Sequence, residues 1–413
     1  MYGIQASEFG SEDVLAYTEL AAPQPRAGQA RVRMHAAGVN PADTYIRSGT
    51  YEFFRPDLPY TPGFDGAGVV DQVGAGVDTV KPGDRVFVAA LGTPGCTGTY
   101  AELAVADAAA VRPLPSSLSF AQGAAIGVPC VTAWRALFQR ARLQPGETVF
   151  IHGASGGVGL HATQLAHAAG AVVIGSASTP AGADLVRTAG AAHVLDHGSA
   201  GYLDELTRIT DGRGPSVIIE MAAHLNLERD LTVLATAGRV VIVGSRGSLD
   251  FTPRLAMVKE ATILGLALWN ATPAETADAL TGVAARLHEG SLVPVVGNTL
   301  PLREAAAAHR QVLEHGTRGK LVLIPNDAGL DRPPPHVLLT GTGQLMLLPK
   351  GEFHGRPRHN RRVATQRAGS HHPGPADAPS QLHARQSDRR QAVPLRPDPL
   401  RRRGPGGDRQ ARR

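Results

Sequence analysis

Seven consecutive residues, Gly153-Ala154-Ser155-Gly156-Gly157-Val158-Gly159, limit this chain to few folds. They follow an apolar run, Thr148-Val149-Phe150-Ile151-His152, that predicts a buried parallel strand. They open a segment, Val158 to Ala169, that predicts a helix with Leu160, Thr163, Leu165 and Ala168 near its inner face. Glycine at such a turn meets two demands: torsions that a Cβ disfavours, and close approach of the backbone to a diphosphate. The helix amino terminus then presents unpaired N–H groups and its positive dipole end. A glycine-rich turn often serves only tight packing, but the strand–turn–helix setting points to a dinucleotide site.

The rest of the chain agrees with an α/β enzyme. Its 413 residues are enough for two domains and an extra segment. No run of about 18 apolar residues occurs, so no segment is expected to span a membrane. Met1-Tyr2-Gly3-Ile4-Gln5 lacks the charged and apolar regions of a signal peptide, and a cytoplasmic location is expected. Cys96 and Cys130 supply neither a disulfide framework nor zinc-site spacing. The formal charge of +5 is unevenly spread. From Asn326 onward there are 17 Lys and Arg against 7 Asp and Glu, whereas residues 1–325 carry 24 against 29. The body is mildly acidic and has no evident nucleic-acid footprint.

Three regions follow from the patterning. Residues 1–119 alternate short β-rich runs with turns, among them Arg31–Ala36, Gly66–Gly74 and Arg85–Val88 after the turn Lys81-Pro82-Gly83-Asp84. They predict a β-rich, barrel-like domain. Residues 120–269 alternate helices with apolar strands at 171–175, 194–195, 217–220, 240–244 and 263–266, which predicts a parallel, doubly wound sheet. Residues 270–325 are expected to complete the first domain. Residues 326–413 are rich in Arg, Pro, Gly, Gln and His and cannot bury enough apolar surface to order, apart from a possible short hairpin in His336–Leu348. Six histidines there offer at most weak metal binding. A shifted or extended reading frame would also produce such a composition.

With these regions in view, the chain resembles the quinone oxidoreductases of the zeta-crystallin type, zinc-free members of the medium-chain dehydrogenase/reductases. The resemblance rests on Ala37-Gly38-Val39-Asn40-Pro41, Tyr45 through Tyr51, Leu58 through Gly63, Gly83 through Phe87, Gln122 through Gly127, His152 through Leu160, Ile218 through Met221 and Gly238 through Gly247. It covers about residues 1–325. It implies a GroES-like catalytic domain beside a Rossmann domain, assembly as a homodimer or homotetramer, and transfer of reducing equivalents from NADPH to a quinone. On the resemblance, Ser155, Gly156, Gly157 and Val158 form the pyrophosphate turn. Tyr45, Asn226, Val243, Gly244, Ser245, Arg246 and the strand Leu266-Ala267-Leu268 line the cofactor. Gly238 and residues 244–247 are expected at the carboxyl edge of the sheet.

The residue types bear on metal and cofactor. Zinc-dependent cousins carry Cys where Asn40 stands and Gly-His-Glu where this chain has Gly63-Phe64-Asp65. A catalytic zinc needs three Cys, His or carboxylate ligands, so no metal is expected in the body. Asp65 and Cys96 are read as a turn cap and as core packing. NAD enzymes hold the ribose 2′-hydroxyl with an acid about 20 residues beyond the glycine turn. Here the strand ends in Gly175-Ser176-Ala177-Ser178-Thr179, so a 2′-phosphate would meet hydroxyls, Ser178 among them. His197 occupies the place of a phosphate-contacting ring in relatives. Against NADPH stands Asp184, where relatives carry Lys, with Arg187 one turn on.

For catalysis, Asn40 and Tyr45 are the polar candidates beside the nicotinamide: an amide donor to the acceptor oxygen and a hydroxyl donor. Both also fit structural roles, in a turn and against a core. Tyr51, Phe53 and Phe54 can pack on an aromatic acceptor. No Ser-His-Asp set or acid–base dyad is evident. Two alternatives remain: an enone or alkenal reductase using the same cofactor and cleft, and, from another class, RNA binding through the basic tail.

Overall fold

The computed structural model describes residues 1–90, 95–314, 316, 318–325 and the pairs 338–339 and 345–346. Six parallel strands build the nucleotide lobe. Their lateral order is His193–Asp196, Val172–Ala177, Thr148–Ile151, Val217–Glu220, Arg239–Ile242 and Thr262–Gly265. Numbered along the chain this is 3-2-1-4-5-6, whose strand order reverses between Thr148–Ile151 and Val217–Glu220. Ligands bind at the carboxyl ends beside such a reversal.

Uniformly apolar strands suit a sheet covered on both faces. Val149 and Ile151 pack with Leu160 and Leu165 on one face, while Phe150, Ile174 and Ile218 pack with Leu206 and Leu231 on the other. Each such side chain contributes about 1.5–3 kcal/mol on burial. The helix expected at 158–169 runs Gly157–Ala168.

Two local expectations change. The last strand ends at Gly265, and Leu268–Asn270 form a single 3₁₀ turn, so Leu266-Ala267-Leu268 is not a strand. The turn frees this segment to leave the sheet and enter the cleft. Gly238 precedes the strand Arg239–Ile242 and therefore stands at the amino edge; only the 244–247 glycines follow its carboxyl end.

A mostly antiparallel sheet builds the other lobe. Val296–Pro301, Lys320–Ile324, Gln29–Val39, Asp65–Val73, Arg85–Ala89 and Val111–Pro113 lie in that order, and Leu103–Asp107 also pairs with Gln29–Val39. Within the span 270–325, the strands Val296–Pro301 and Lys320–Ile324 join this sheet. The helix Pro273–Glu289 instead places Ala279, Leu280, Val283 and Leu287 in the core that holds Val149 and Ile151.

The return strand brings the lobes together at the glycine turn. Gly319 donates its N–H to the Ser155 carbonyl at 2.9 Å, and Gly319 and Gly156 form a parallel bridge. Beyond Pro325 the described residues are an antiparallel pair, with Leu338 opposite Met346 and Leu339 opposite Leu345, inside the expected hairpin. The expectations of disorder, RNA binding and metal binding for 326–413 otherwise lie outside the described residues.

Candidate active site

The glycine turn leaves room for a diphosphate. Gly156 is the N-cap of Gly157–Ala168 with extended torsions and no capping side chain. A Cβ built on Gly156 would have only the Gly153 carbonyl within 4 Å, at 3.4 Å, and one on Gly157 would touch nothing closer than 3.8 Å. No side chain comes close to these two glycines, so the space at the helix's positive dipole end is clear of side chains. Gly159 differs: its Cβ would lie 2.4 Å from the Gly153 carbonyl, so that glycine serves packing. The residues present fit a dinucleotide diphosphate at Ser155–Val158.

At the carboxyl ends of the strands Val172–Ala177 and His193–Asp196, buried Ser176 accepts from the Gly153 N–H at 3.2 Å and lies 3.3 Å from Nδ1 of His197. Ser178 and His197 are exposed at the ends of neighbouring strands. Asp184 points outward on the helix Pro180–Thr188 and pairs with Arg187 at 2.7 Å. That exposed pair offsets the acid's charge locally and is weak in solvent.

Beyond the strand Val217–Glu220, Asn226 donates Nδ2 to Oε1 of Glu220 at 3.2 Å. Val243 and Gly244 donate N–H to the Glu220 carbonyl at 2.8 and 3.3 Å. The Ser245 hydroxyl donates to the Gly247 carbonyl, and the Arg246 N–H to Nδ1 of His224. The Arg246 guanidinium sits 5.7 Å from the ring centre of Tyr45, across the cleft. The Tyr45 hydroxyl has no hydrogen-bond partner although its oxygen is buried, and burial raises its pKa against the opposing charge of Arg246. Ala267 gives its carbonyl to buried Arg135 at 3.0 Å, while Leu268 lines a pocket with Ala89, Gly127, Val128, Val131, Ala271 and Thr276.

Asn40 is only 4% exposed, and its amide is engaged within the protein. Nδ2 donates to Oδ2 of Asp65 at 2.9 Å, and Oδ1 accepts from the Lys320 ammonium. Lys320 also contacts Oδ2 of Asp65 at 2.9 Å. Asp65, fully buried, accepts from the Val128 N–H at 2.7 Å through its other oxygen. An ammonium thus already lies between Asn40 and Asp65. Asp43, three residues into the next helix, accepts from the Asn40 N–H and the Tyr100 hydroxyl; burial raises its pKa to about 7.

An aromatic cluster closes the other side. Trp269 stacks on Phe54, meets Phe64 edge-on and donates its indole N–H to the Tyr51 hydroxyl at 3.0 Å. Phe53 packs on Tyr51 but is half exposed. Beneath the sheet's carboxyl edge, His152 Nε2 lies 2.7 Å from Asp230 and 3.1 Å from Glu220, all three buried. Burial raises both carboxyl pKa values to about 7 and lowers that of His152.

Residues 26–116 match the alcohol dehydrogenase GroES-like domain and residues 157–285 the zinc-binding dehydrogenase family. The rat (Rattus norvegicus) quinone oxidoreductase is 44% identical over 326 residues, covering 78% of this chain and 98% of that protein. The chain belongs to the quinone oxidoreductase family. Among solved structures of similar fold, the Escherichia coli quinone oxidoreductase complexed with NADPH has a TM-score of 0.69 at 29% identity, covering 79% of this chain and all of that one. An NAD-dependent alcohol dehydrogenase reaches 0.73 at 30% identity with the same coverage. In this family member, the residues missed by sequence reasoning are those whose partners are distant in the chain. They are Lys320, Trp269, Phe64 and the His152–Glu220–Asp230 set. Asp65, expected as a turn cap, takes its N–H from a helix start 63 residues away.

Proposed function

We propose that this chain is a zinc-independent oxidoreductase that reduces quinones with NADPH in the cytoplasm. The open cradle at Gly156 carries the cofactor assignment, because the backbone there is held ready while no side chain fills the space. When bound, NADPH supplies the hydride; the protein supplies orientation and a dry cleft. Ser155, Gly156, Gly157 and Val158 bind the diphosphate, and Ser178 and His197 face the 2′-phosphate. Glu220 holds Asn226, and Val243, Gly244, Ser245, Arg246, Leu266, Ala267 and Leu268 border the nicotinamide half. The Tyr45 hydroxyl keeps its proton at neutral pH, since its pKa is raised, and is available as a donor at the cleft.

The acceptor side is read as apolar and aromatic: Tyr51 and Phe54 pack on Trp269, and its neighbour Leu268 lies beside Val128 and Val131. A flat, electron-poor acceptor that needs no activation by a metal suits such walls. A quinone accepts hydride directly, and water can protonate the reduced oxygen. Steady-state NADPH oxidation with quinones, with and without a chelator, tests this reading; loss of activity on chelation overturns its zinc-independent part.

The lobes are assigned as residues 1–119 completed from 270–325, and 120–269. No described helix is long and apolar enough to cross a membrane. A homodimer fits the outer strand Thr262–Gly265, which has one sheet neighbour among the described residues, beside helices that expose Leu225, Met257 and Val258. Light scattering on the full chain checks the assembly: a monomer at micromolar concentration overturns it.

A further inference from the structure

Lys320 joins three parts of the cleft that the chain keeps far apart. Its ammonium bonds Asn40, the N-cap of the helix Pro41–Ser48 that carries Tyr45. It also bonds Asp65, whose second oxygen holds the Val128 N–H at the start of the helix Gly127–Trp134, beside Leu268. That contact is close: a Cβ on Gly127 would lie 2.1 Å from the same oxygen of Asp65. The residue before it, Gly319, is hydrogen-bonded to Ser155 in the pyrophosphate turn. The lysine stem runs past Gly38, where a Cβ would lie 2.8 Å from its Cε, and past Gly157, where one would lie 3.9 Å from its Cδ. It has little freedom.

A buried ion pair is a poor way to gain stability, because desolvating both charges offsets their attraction. What it supplies is direction: each bond fixes an angle as well as a distance, and a misplacement of about 1 Å costs on the order of 100-fold in rate.

We propose that Lys320 is a positioning residue for hydride transfer, its buried ammonium fixing the Tyr45 helix and the Val128 helix start against the pyrophosphate turn. The proposal rests on the NADPH–quinone reading. It assigns Lys320 no contact with acceptor or cofactor. Its effect reaches them through Asn40, Asp65 and Gly319.

The test compares full-length Lys320→Met, Lys320→Arg and Asp65→Asn with the wild type. Thermal unfolding and NADPH titration first establish folding and affinity. Stopped-flow single turnover, with protiated or deuterated NADPH saturating, then reads hydride transfer. The fluorescence lifetime of bound NADPH reads immobilisation of the nicotinamide without any acceptor. For Lys320→Met the expected result is a transfer rate lower by about 10- to 100-fold, with the full isotope effect exposed and a lifetime shifted towards that of free cofactor. NADPH affinity should change little, and Lys320→Arg should recover most of the rate. A folded Lys320→Met with wild-type rate and lifetime overturns the proposal. Should Lys320→Met fail to fold, Asp65→Asn decides by the same criteria, since it keeps the side chain's size and removes its charge. A wild type that binds NADPH but reduces no quinone defeats the parent reading instead, and the lifetime comparison still decides the role of Lys320.

Discussion

The indole of Trp269 stacks on the ring of Phe54 with centroids 4.5 Å apart and planes 12° apart. Trp269 follows the last strand of the nucleotide lobe, and Phe54 lies in a loop of the other lobe, so the stack spans the cleft. Aromatic pairs of this kind are worth about 0.5–1.5 kcal/mol beyond burial. Trp269→Ala should raise the KM for an aromatic quinone about 2- to 10-fold and leave NADPH affinity nearly unchanged. Steady-state kinetics with the quinone varied at saturating NADPH measure this; an unchanged KM would remove the stack from the acceptor site.

Gly156→Val should abolish measurable NADPH binding while the protein folds. The torsions at Gly156 are extended and open to any residue, and the added branches would enter the space left for the diphosphate. Fluorescence titration checks it. Unaltered affinity in a folded variant would move the diphosphate elsewhere.

His197→Ala should lower preference for NADPH over NADH, acting on the KM of NADPH alone. His197 is exposed beside Ser176, while the charge of Asp184 is offset by Arg187. The ratio of kcat/KM for the two cofactors, compared with wild type, decides whether His197 reads the 2′-phosphate. An unchanged ratio excludes it.

Asp43 gives stability a definite dependence on pH. Burial raises its pKa from 3.8 in the unfolded chain to about 7 in the fold. Between those values the folded state binds the extra proton, so this contribution is full below about pH 4 and is lost as pH rises through 7. The slope is at most about 1.4 kcal/mol per pH unit. Asp43→Asn cannot lose a proton, so its stability relative to wild type should improve between pH 5 and 8. Denaturant unfolding across that range provides the check, and parallel curves for the two proteins would contradict the shift.

Local signals made much of the fold legible. The glycine turn, the apolar strands and the helix after them depend on neighbours in sequence, and the parallel, doubly wound sheet followed from their alternation, whereas the strand order did not. The end of the last strand was misjudged because Leu266, Ala267 and Leu268 are apolar enough to extend it, whereas Arg135 takes the Ala267 carbonyl from 132 residues away. The turn residues at 155–158 were equally visible. Asn40 was visible as a polar residue at a suggestive position, but its commitment to Asp65 and Lys320 was not, since those partners lie 25 and 280 residues on. The His152–Glu220–Asp230 cluster likewise spans three segments whose apolar surroundings alone were readable.

The acceptor itself remains the most direct measure of what the site does. Purified full-length protein should be assayed for NADPH and NADH oxidation with ortho- and para-quinones, enones and simple carbonyl compounds at matched concentrations. An aromatic cleft with an open diphosphate cradle predicts the highest kcat/KM for NADPH with a quinone. A wide margin in favour of enones with either cofactor would contradict quinone reduction and make the protein an enone reductase.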